Sequence, residues 1–354
     1  QQDTMSFSVK AIGTRAADAP LGEMDIQRRS TGEDDVHIEI TYCGVCHSDI
    51  HTARNEWLNS TYPVVPGHEI IGRVVDMGRK VRRFKKGDLV GVGCMVDSCQ
   101  ECDPCKDHLE MFCQKGCTWT YNSPNPHLGG RTYGGYSTHI VVRDEFVLKI
   151  PENIDQTAAA PLLCAGITTW SPLKHWKVGK GDKVGIVGLG GLGHMGIKFA
   201  NALGAHVVMI TRSPEKAKDA EDLGAHEVLL STDSEAMQAQ ANSFDFILNT
   251  IPVGHEMDPY ISLLKIDATM VLVGAVEPLK PFHGGGVIMG RKRIAGSLIG
   301  GIKETQEMLD FCGKHNIVCD VELIRMQEIN EAYDRVVNSD VKYRFVIDMR
   351  SLKE

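Results

Sequence analysis

From Ser6 to about Ile150 the apolar residues come in short, β-rich runs separated by Gly and Pro: Val36 to Ile40, Ile70 to Val75, Leu89 to Val92 and Ser137 to Val142. Runs of that length and composition predict strands. After Pro151 the rhythm changes, and short apolar runs alternate with segments of helical period. The pattern predicts strands over Lys183 to Val187, His206 to Ile210, Phe244 to Leu248 and Met270 to Val273, with helices over Gly193 to Leu203 and Pro214 to Leu223. Such alternation implies a parallel sheet with right-handed crossovers. Beyond Gly301 a helix over Glu304 to Lys314 and a strand over Arg344 to Asp348 are expected to return to the first domain. With 354 residues, two cores are expected rather than one. The expected fold class is therefore α/β, a strand-rich, partly barrel-like domain (1–156 and 301–354) interrupted by a doubly wound parallel sheet (157–300).

Composition removes several classes of function. At 42% hydrophobic and 24% charged residues the chain reads as globular. A net charge of -8 argues against a nucleic acid or an anionic membrane as partner, because both select a concentrated basic face. The clusters Arg79-Lys80, Arg82-Arg83 and Arg291-Lys292-Arg293 are short and read as solvated surface. No stretch approaches the roughly 18 apolar residues of a membrane span, and no basic-then-apolar leader is visible. A soluble, cytoplasmic protein is expected, and Gln1 to Thr4 are set aside from fold reasoning. In that compartment eleven cysteines point to metal or catalysis more than to disulfides.

Four of those cysteines, Cys99, Cys102, Cys105 and Cys113, fall in one polar loop of a lobe spanning about 94–118. Four thiolates at short spacing suit a closed tetrahedral zinc site, which organises a loop and leaves no position for chemistry. A reaction therefore needs another centre. Gly188-Leu189-Gly190-Gly191-Leu192-Gly193 follows the strand Val184 to Val187 and opens a helix. In that context the glycines read as a dinucleotide fingerprint: Gly188 for the tight turn, Gly190 for approach to the pyrophosphate, Gly193 for close helix packing, with Gly191 and Leu192 counted among the cofactor-binding positions. At the tip of the next strand, Thr211, Arg212 and Ser213, with Lys216 a turn later, stand where an NAD enzyme places a carboxylate. Hydroxyls plus cations suit a 2'-phosphate and so NADP(H); Ser213-Pro214 also reads as a plain helix start.

A second ligand group is scattered: Cys46 in Cys46-His47-Ser48-Asp49-Ile50-His51, His68 and Glu69, and Cys164. Cysteines and histidines of this kind are usually packed core residues, but the thiolate loop and the fingerprint together reverse that expectation. Two thiolates and one imidazole leave a fourth zinc position open for substrate.

The runs Tyr42-Cys43-Gly44-Val45-Cys46-His47-Ser48-Asp49, Pro66-Gly67-His68-Glu69, Pro161-Leu162-Leu163-Cys164-Ala165-Gly166 and Gly188 to Gly193 resemble a zinc-dependent medium-chain dehydrogenase/reductase of the cinnamyl alcohol dehydrogenase branch, from about residue 8 to 350. The resemblance implies a GroES-like catalytic domain interrupted by a Rossmann domain, two zinc ions per chain, NADP(H), and a homodimer formed near residues 284–300. It implies Cys46, His68 and Cys164 as catalytic zinc ligands and Glu69 as a carboxylate that exchanges onto the metal. It also implies Asp49 as acceptor of the second His68 N–H, with Arg344 pairing Glu69. Protons would pass from Ser48 through a cofactor hydroxyl to His51, whose ordinary pKa lies near neutrality. His47 would meet the cofactor phosphates. Asn249, Thr250, Gly274, Ala275 and Val276 would lie near the nicotinamide ribose, and Ser297 to Ile299 near the carboxamide. Trp57, Leu58, Cys94, Trp119 and Ile299 are the candidates for the substrate wall, with loop packing an equal role for the aromatics. Ser48 replaces the Thr of many plant members, and Leu298-Ile299 replaces their aromatic, so a general aldehyde pocket is expected rather than one for lignin precursors.

The expected activity is hydride transfer between NADP(H) and aromatic or medium-chain aliphatic aldehydes and alcohols. A polyol dehydrogenase would want the missing acid near residue 211. A non-catalytic redox sensor using Cys94 or Cys117 would have no need of Ser48 and His51.

Overall fold

The structure is a computed structural model that describes residues 5–274 and 277–353. The chain forms two compact units, one reaching to Cys164 and resuming at Gly300, the other spanning Ala165–Ile299.

The first unit begins with an antiparallel hairpin, β1 (Ser6–Gly13) and β2 (Gly22–Arg29). Its central strand is β3 (Asp35–Gly44), in which Val36, Ile38 and Ile40 are buried while His37, Glu39 and Thr41 are not. That period of two is what fixes the register, since a one-residue slip would turn the apolar set outward. Each such isoleucine contributes about 1.5–3 kcal/mol by leaving water. The strand β4 (Ile70–Met77) runs antiparallel to β3, with Cys43 opposite Ile70, and β5 (Leu89–Val92) follows on β4. A small ribbon, β6 (Met95–Asp97) with β7 (Thr118–Trp119), closes the base of the cysteine-rich loop. The strands β8 (His139–Arg143) and β9 (Leu148–Lys149) pair with β3 and β5.

In the second unit β10 (Lys183–Val187), β11 (His206–Thr211), β12 (Glu227–Leu230), β13 (Phe244–Asn249), β14 (Leu264–Leu272) and β15 (Arg293–Gly296) form a parallel sheet in the order β12-β11-β10-β13-β14-β15. Val208, Ile210, Phe244, Ile247 and Met270 are completely buried in its core. The order reverses direction between β10 and β13, the switch point at which such sheets bind ligands beyond the strand ends.

The chain then returns through a helix (Ile302–His315) and two strands, β16 (Val321–Arg325) and β17 (Arg344–Asp348). The last of these pairs antiparallel with β3, Val346 opposite Gly44. The expected strands are present with small shifts. The fingerprint helix starts at Gly191, because Gly190 is its cap residue. Pro214–Lys216 forms a 3-10 turn before the helix Ala217–Leu223. Among the described residues no helix is long and apolar enough to cross a membrane.

Candidate active site

Strand pairing explains how distant residues meet in the first unit. With Cys43 opposite Ile70, the residues just beyond the end of β3 and just before β4 face one another. Those residues are Cys46 and His68-Glu69. Cys46 is also the cap residue of a helix, α1 (His47–Ala53), and a 3-10 turn, Ala160–Leu163, delivers Cys164 to the same place. Donor atoms of Cys46, His68, Glu69 and Cys164 all lie within 4.8 Å of one another, and the Cys46 and Cys164 sulfurs are 3.9 Å apart. Contact between the two thiols pulls Cys46 well below the usual thiol range and pushes Cys164 above it. The pair therefore favours a single shared negative charge.

The donor set fits a zinc ion. His68 is only 9% exposed and its Nε2 has no hydrogen-bond partner, although an unpaired buried polar atom costs about 1–3 kcal/mol. A cation among two sulfurs and that nitrogen removes the cost.

The surroundings hold the ligands in place. Asp49, completely buried, accepts from the backbone N–H groups of Cys46 (2.9 Å) and Gly67 (3.2 Å) and from the Tyr136 hydroxyl (3.2 Å). Tyr333 donates in turn to Tyr136 at 3.0 Å. Burial raises the Asp49 carboxyl, and the charge of His68 opposes that shift. The hydrogen bonds of Asp49 thus run to the backbone beside the ligands, and a direct one to the His68 ring is not among them. Arg344, at the start of β17, donates from Nη2 to both oxygens of Glu69, at 2.6 Å to Oε1, and from Nε to the Val45 carbonyl at 3.0 Å. Burial pushes the Glu69 carboxyl up, and Arg344, whose Nη2 donates to both of its oxygens, opposes that shift.

On α1, Ser48 Oγ lies 3.6 Å from Cys46 Sγ. His51 Nδ1 is 2.8 Å from Glu56 Oε2, and the His51 ring packs on Trp57 with centroids 4.9 Å apart and on His47 at 6.0 Å. His47 itself is shifted down by burial. Trp119, on β7, neighbours the segment that carries Cys94. Leu58 is 86% exposed. Sequence reasoning missed Glu56, Tyr136 and Tyr333: nothing in their spacing marks them, because each acts only through a partner the fold brings near.

The second thiolate group lies in the lobe. The sulfurs of Cys99, Cys102, Cys105 and Cys113 also lie within 4.8 Å of one another. Backbone N–H groups of Glu101 and Cys102 point at Cys99 Sγ (3.4 and 3.3 Å), lowering that thiol to about 6, and Gln114 N–H points at Cys102 Sγ (3.4 Å). The set consists of four sulfurs, with no imidazole and no carboxylate in it.

In the second unit Gly188 has φ +93°, the left-handed region that favours glycine. A Cβ on Gly193 would lie 2.0 Å from the Gly188 carbonyl, so only glycine lets the helix start this close, whereas one on Gly190 would meet nothing within 4 Å. The space beside Gly190, at a helix N-terminus, suits a pyrophosphate. Gly191 and Leu192 are the first helical residues. Thr250 Oγ1 donates to the Val187 carbonyl at 2.6 Å, while Asn249 is bonded to His255 and to Ile251 N–H. Both side chains therefore brace the turn from inside. A Cβ on Gly274 would lie 2.3 Å from the Thr250 carbonyl. Thr211 is buried at the tip of β11, Arg212 is exposed, and Ser213 and Lys216 are partly exposed. Ser297 N–H donates to the Leu272 carbonyl at 3.2 Å, and Ile299 is buried with φ +37°. Ala275 and Val276 lie outside the described residues.

Comparison with known proteins agrees with this geometry. Residues 32–152 match the alcohol dehydrogenase GroES-like domain and residues 191–314 the zinc-binding dehydrogenase family. The chain is 57% identical over 350 residues to the aldehyde reductase YahK of Escherichia coli K12, covering 98% of this chain and 100% of that one. Cinnamyl alcohol dehydrogenase 4 of Sorghum bicolor superposes with a TM-score of 0.93 at 42% identity, covering 97% and 98%. The Helicobacter pylori cinnamyl alcohol dehydrogenase complexed with NADP(H) does so with 0.91 at 42%, covering 98% and 99%. With near-complete coverage at these identities, the chain belongs to the zinc-dependent medium-chain dehydrogenases, in the cinnamyl alcohol dehydrogenase branch.

Proposed function

We propose that this protein is a zinc-dependent, NADP(H)-dependent alcohol dehydrogenase that works chiefly as an aldehyde reductase on aromatic and medium-chain aliphatic aldehydes. The observation that carries the reading is the buried, unpartnered Nε2 of His68 facing the Cys46 and Cys164 thiols. Cys46, His68 and Cys164 would hold a catalytic zinc, and Cys99, Cys102, Cys105 and Cys113 a structural one. When bound, zinc supplies Lewis-acid polarisation of a carbonyl and NADPH supplies the hydride.

The chain's own residues do the rest. Asp49, held by Tyr136, fixes the backbone on either side of the ligands, and Arg344 holds both oxygens of Glu69 in place. Ser48, whose Oγ lies beside Cys46 Sγ, is placed to donate a proton at the site. His51, partly exposed, exchanges protons with solvent. With its Nδ1–H donated to Glu56, an assignment based on the bonding pattern, the ring keeps Nε2 free as the acceptor. In the second unit Gly188 to Gly193 would take the pyrophosphate, and Thr211, Arg212, Ser213 and Lys216 the 2'-phosphate. A cytoplasmic setting suits eleven free cysteines. A homodimer across β15 suits that sheet edge, with Ile288 and Met289 exposed nearby.

The test is an aldehyde panel with NADPH and NADH, scored by kcat/KM. NADPH is expected to be preferred, and Thr211→Asp with Arg212 and Lys216 neutralised is expected to move the preference toward NADH. Unchanged NADPH selectivity in that variant would refute the phosphate assignment.

A further inference from the structure

Arg28, near the end of β2, is only 8% exposed, and its hydrogen-bond partners are carbonyl and hydroxyl oxygens. Nε donates to the His139 carbonyl at 2.8 Å, Nη1 to the Tyr133 carbonyl at 2.7 Å, and Nη2 to the Gly134 carbonyl at 2.9 Å and to Ser137 Oγ at 2.8 Å. A buried charge is costly unless it is hydrogen-bonded, and this one serves a single stretch of chain, 133–139. The planar fork of a guanidinium can span three carbonyls at once, which the point-like ammonium of a lysine cannot. The strand β1 bonds the same stretch from Ile12 N–H to the Tyr136 carbonyl (2.8 Å) and through Thr138 N–H to the Lys10 carbonyl (3.0 Å). It leaves the Tyr133 and Gly134 carbonyls to Arg28 and to Ser137 Oγ, which donates to Gly134 at 3.0 Å.

The stretch lies against the residues that precede His68. Gly134 N–H donates to the Val65 carbonyl (2.8 Å), Tyr136 N–H to the Pro66 carbonyl (3.0 Å) and Gly135 N–H to the Gly67 carbonyl (2.8 Å). A Cβ on Gly134 would lie 2.4 Å from the carbonyl oxygens of both Pro66 and Gly67, and one on Gly135 would lie 2.8 Å from Cys43 Sγ, so the two segments meet backbone to backbone. Tyr136 also donates to one oxygen of Asp49, whose other oxygen accepts from Gly67 N–H. Arg28 thus stands behind both supports of the His68 segment while its own bonds end on 133–139.

We propose that Arg28 is a positioning residue for the candidate active site: by fixing 133–139 it sets the Val65–Gly67 backbone and Asp49, and through them the His68 imidazole. The effect on metal rests on the reading that Cys46, His68 and Cys164 hold the catalytic zinc. On this account the β1–β2 hairpin does more than cover the sheet, since its one buried guanidinium sets the approach to a ligand some forty residues further along the chain.

Hydrogen–deuterium exchange on the zinc-loaded enzyme, together with transfer of zinc to a chelator, tests this in Arg28→Met, which loses both charge and fork, and in Arg28→Lys, which loses the fork alone. In both variants segments 64–69 and 133–139 are expected to exchange about 10-fold faster or more, while 99–113 exchanges as in wild type. One of the two zinc ions is expected to pass to the chelator about 10-fold faster, the other at the wild-type rate, with KM for NADPH unchanged. A lower melting temperature with wild-type exchange at 64–69 and wild-type zinc release makes Arg28 a support of the fold alone and overturns the proposal. Equal acceleration at 64–69 and 99–113, or of both zinc ions, overturns it as well. A wild-type chain with a single zinc refutes the zinc reading instead; exchange at 64–69 then still decides whether Arg28 sets that segment. Ser137→Ala removes one of the four Arg28 contacts and no charge, is expected to show the same pattern at smaller size, and keeps the test decisive if neither arginine variant folds.

Discussion

The two cysteine groups of the first unit solve different problems with the same atom. Cys99, Cys102, Cys105 and Cys113 come from one loop, and their sulfurs are supported by that loop's own N–H groups. Cys46, His68 and Cys164 come from three segments and depend on β3–β4 pairing, on Asp49 with two tyrosines behind it, and on the Glu69–Arg344 pair. A site built by local spacing organises its own surroundings. A site built by tertiary assembly is held open by the rest of the fold, and that is where chemistry has room.

The comparison can be broken at either end. Cys164→Ala is expected to reduce NADPH-dependent turnover to background while shifting the melting temperature by no more than about 3 °C; steady-state kinetics with calorimetry checks it, and retained turnover would mean another residue completes the set. Cys102→Ser is expected to act in the opposite order. It should lower the melting temperature by about 10 °C, equivalent to a few kcal/mol in a chain this size, with activity lost only as the protein unfolds. Thermal melts followed by both fluorescence and activity separate the two. Tyr136→Phe should have the smallest effect, since it loosens Asp49 without removing a ligand. Supporting groups of this kind are worth about 10-fold or more in metal affinity; competition with a chelator should show that loss at the catalytic centre and none at the lobe.

What could be read from the sequence follows the same division. The cysteine loop is legible because its spacing is its geometry. The fingerprint is equally legible, because Gly188 and Gly193 are required by a positive φ and by a close carbonyl. Cys46, His68 and Cys164 are legible only as residue types within a family resemblance; their meeting depends on Cys43 pairing with Ile70, which no local pattern encodes. Tyr136, Tyr333 and Glu56 leave no sequence signal at all, since a hydroxyl or carboxylate acting on Asp49 or His51 looks like any other until the chain is folded. The β1–β2 hairpin escaped for a simpler reason: Lys10, Asp25 and Gln27 interrupt its apolar residues, and Val9, Ala11, Ile12 and Ile26 carry its buried side. Likewise β14 extends back to Leu264 through exposed Lys265, Ile266 and Asp267, with a register shift against β13 that blurs its alternation.

The central claim is that these two cysteine groups are separate metal centres, one closed and structural, one assembled and catalytic. Native mass spectrometry of the purified chain tests it most directly. Two zinc ions per chain in wild type, with one remaining in Cys164→Ala, is the expected result. A wild-type chain that carries a single zinc would contradict it.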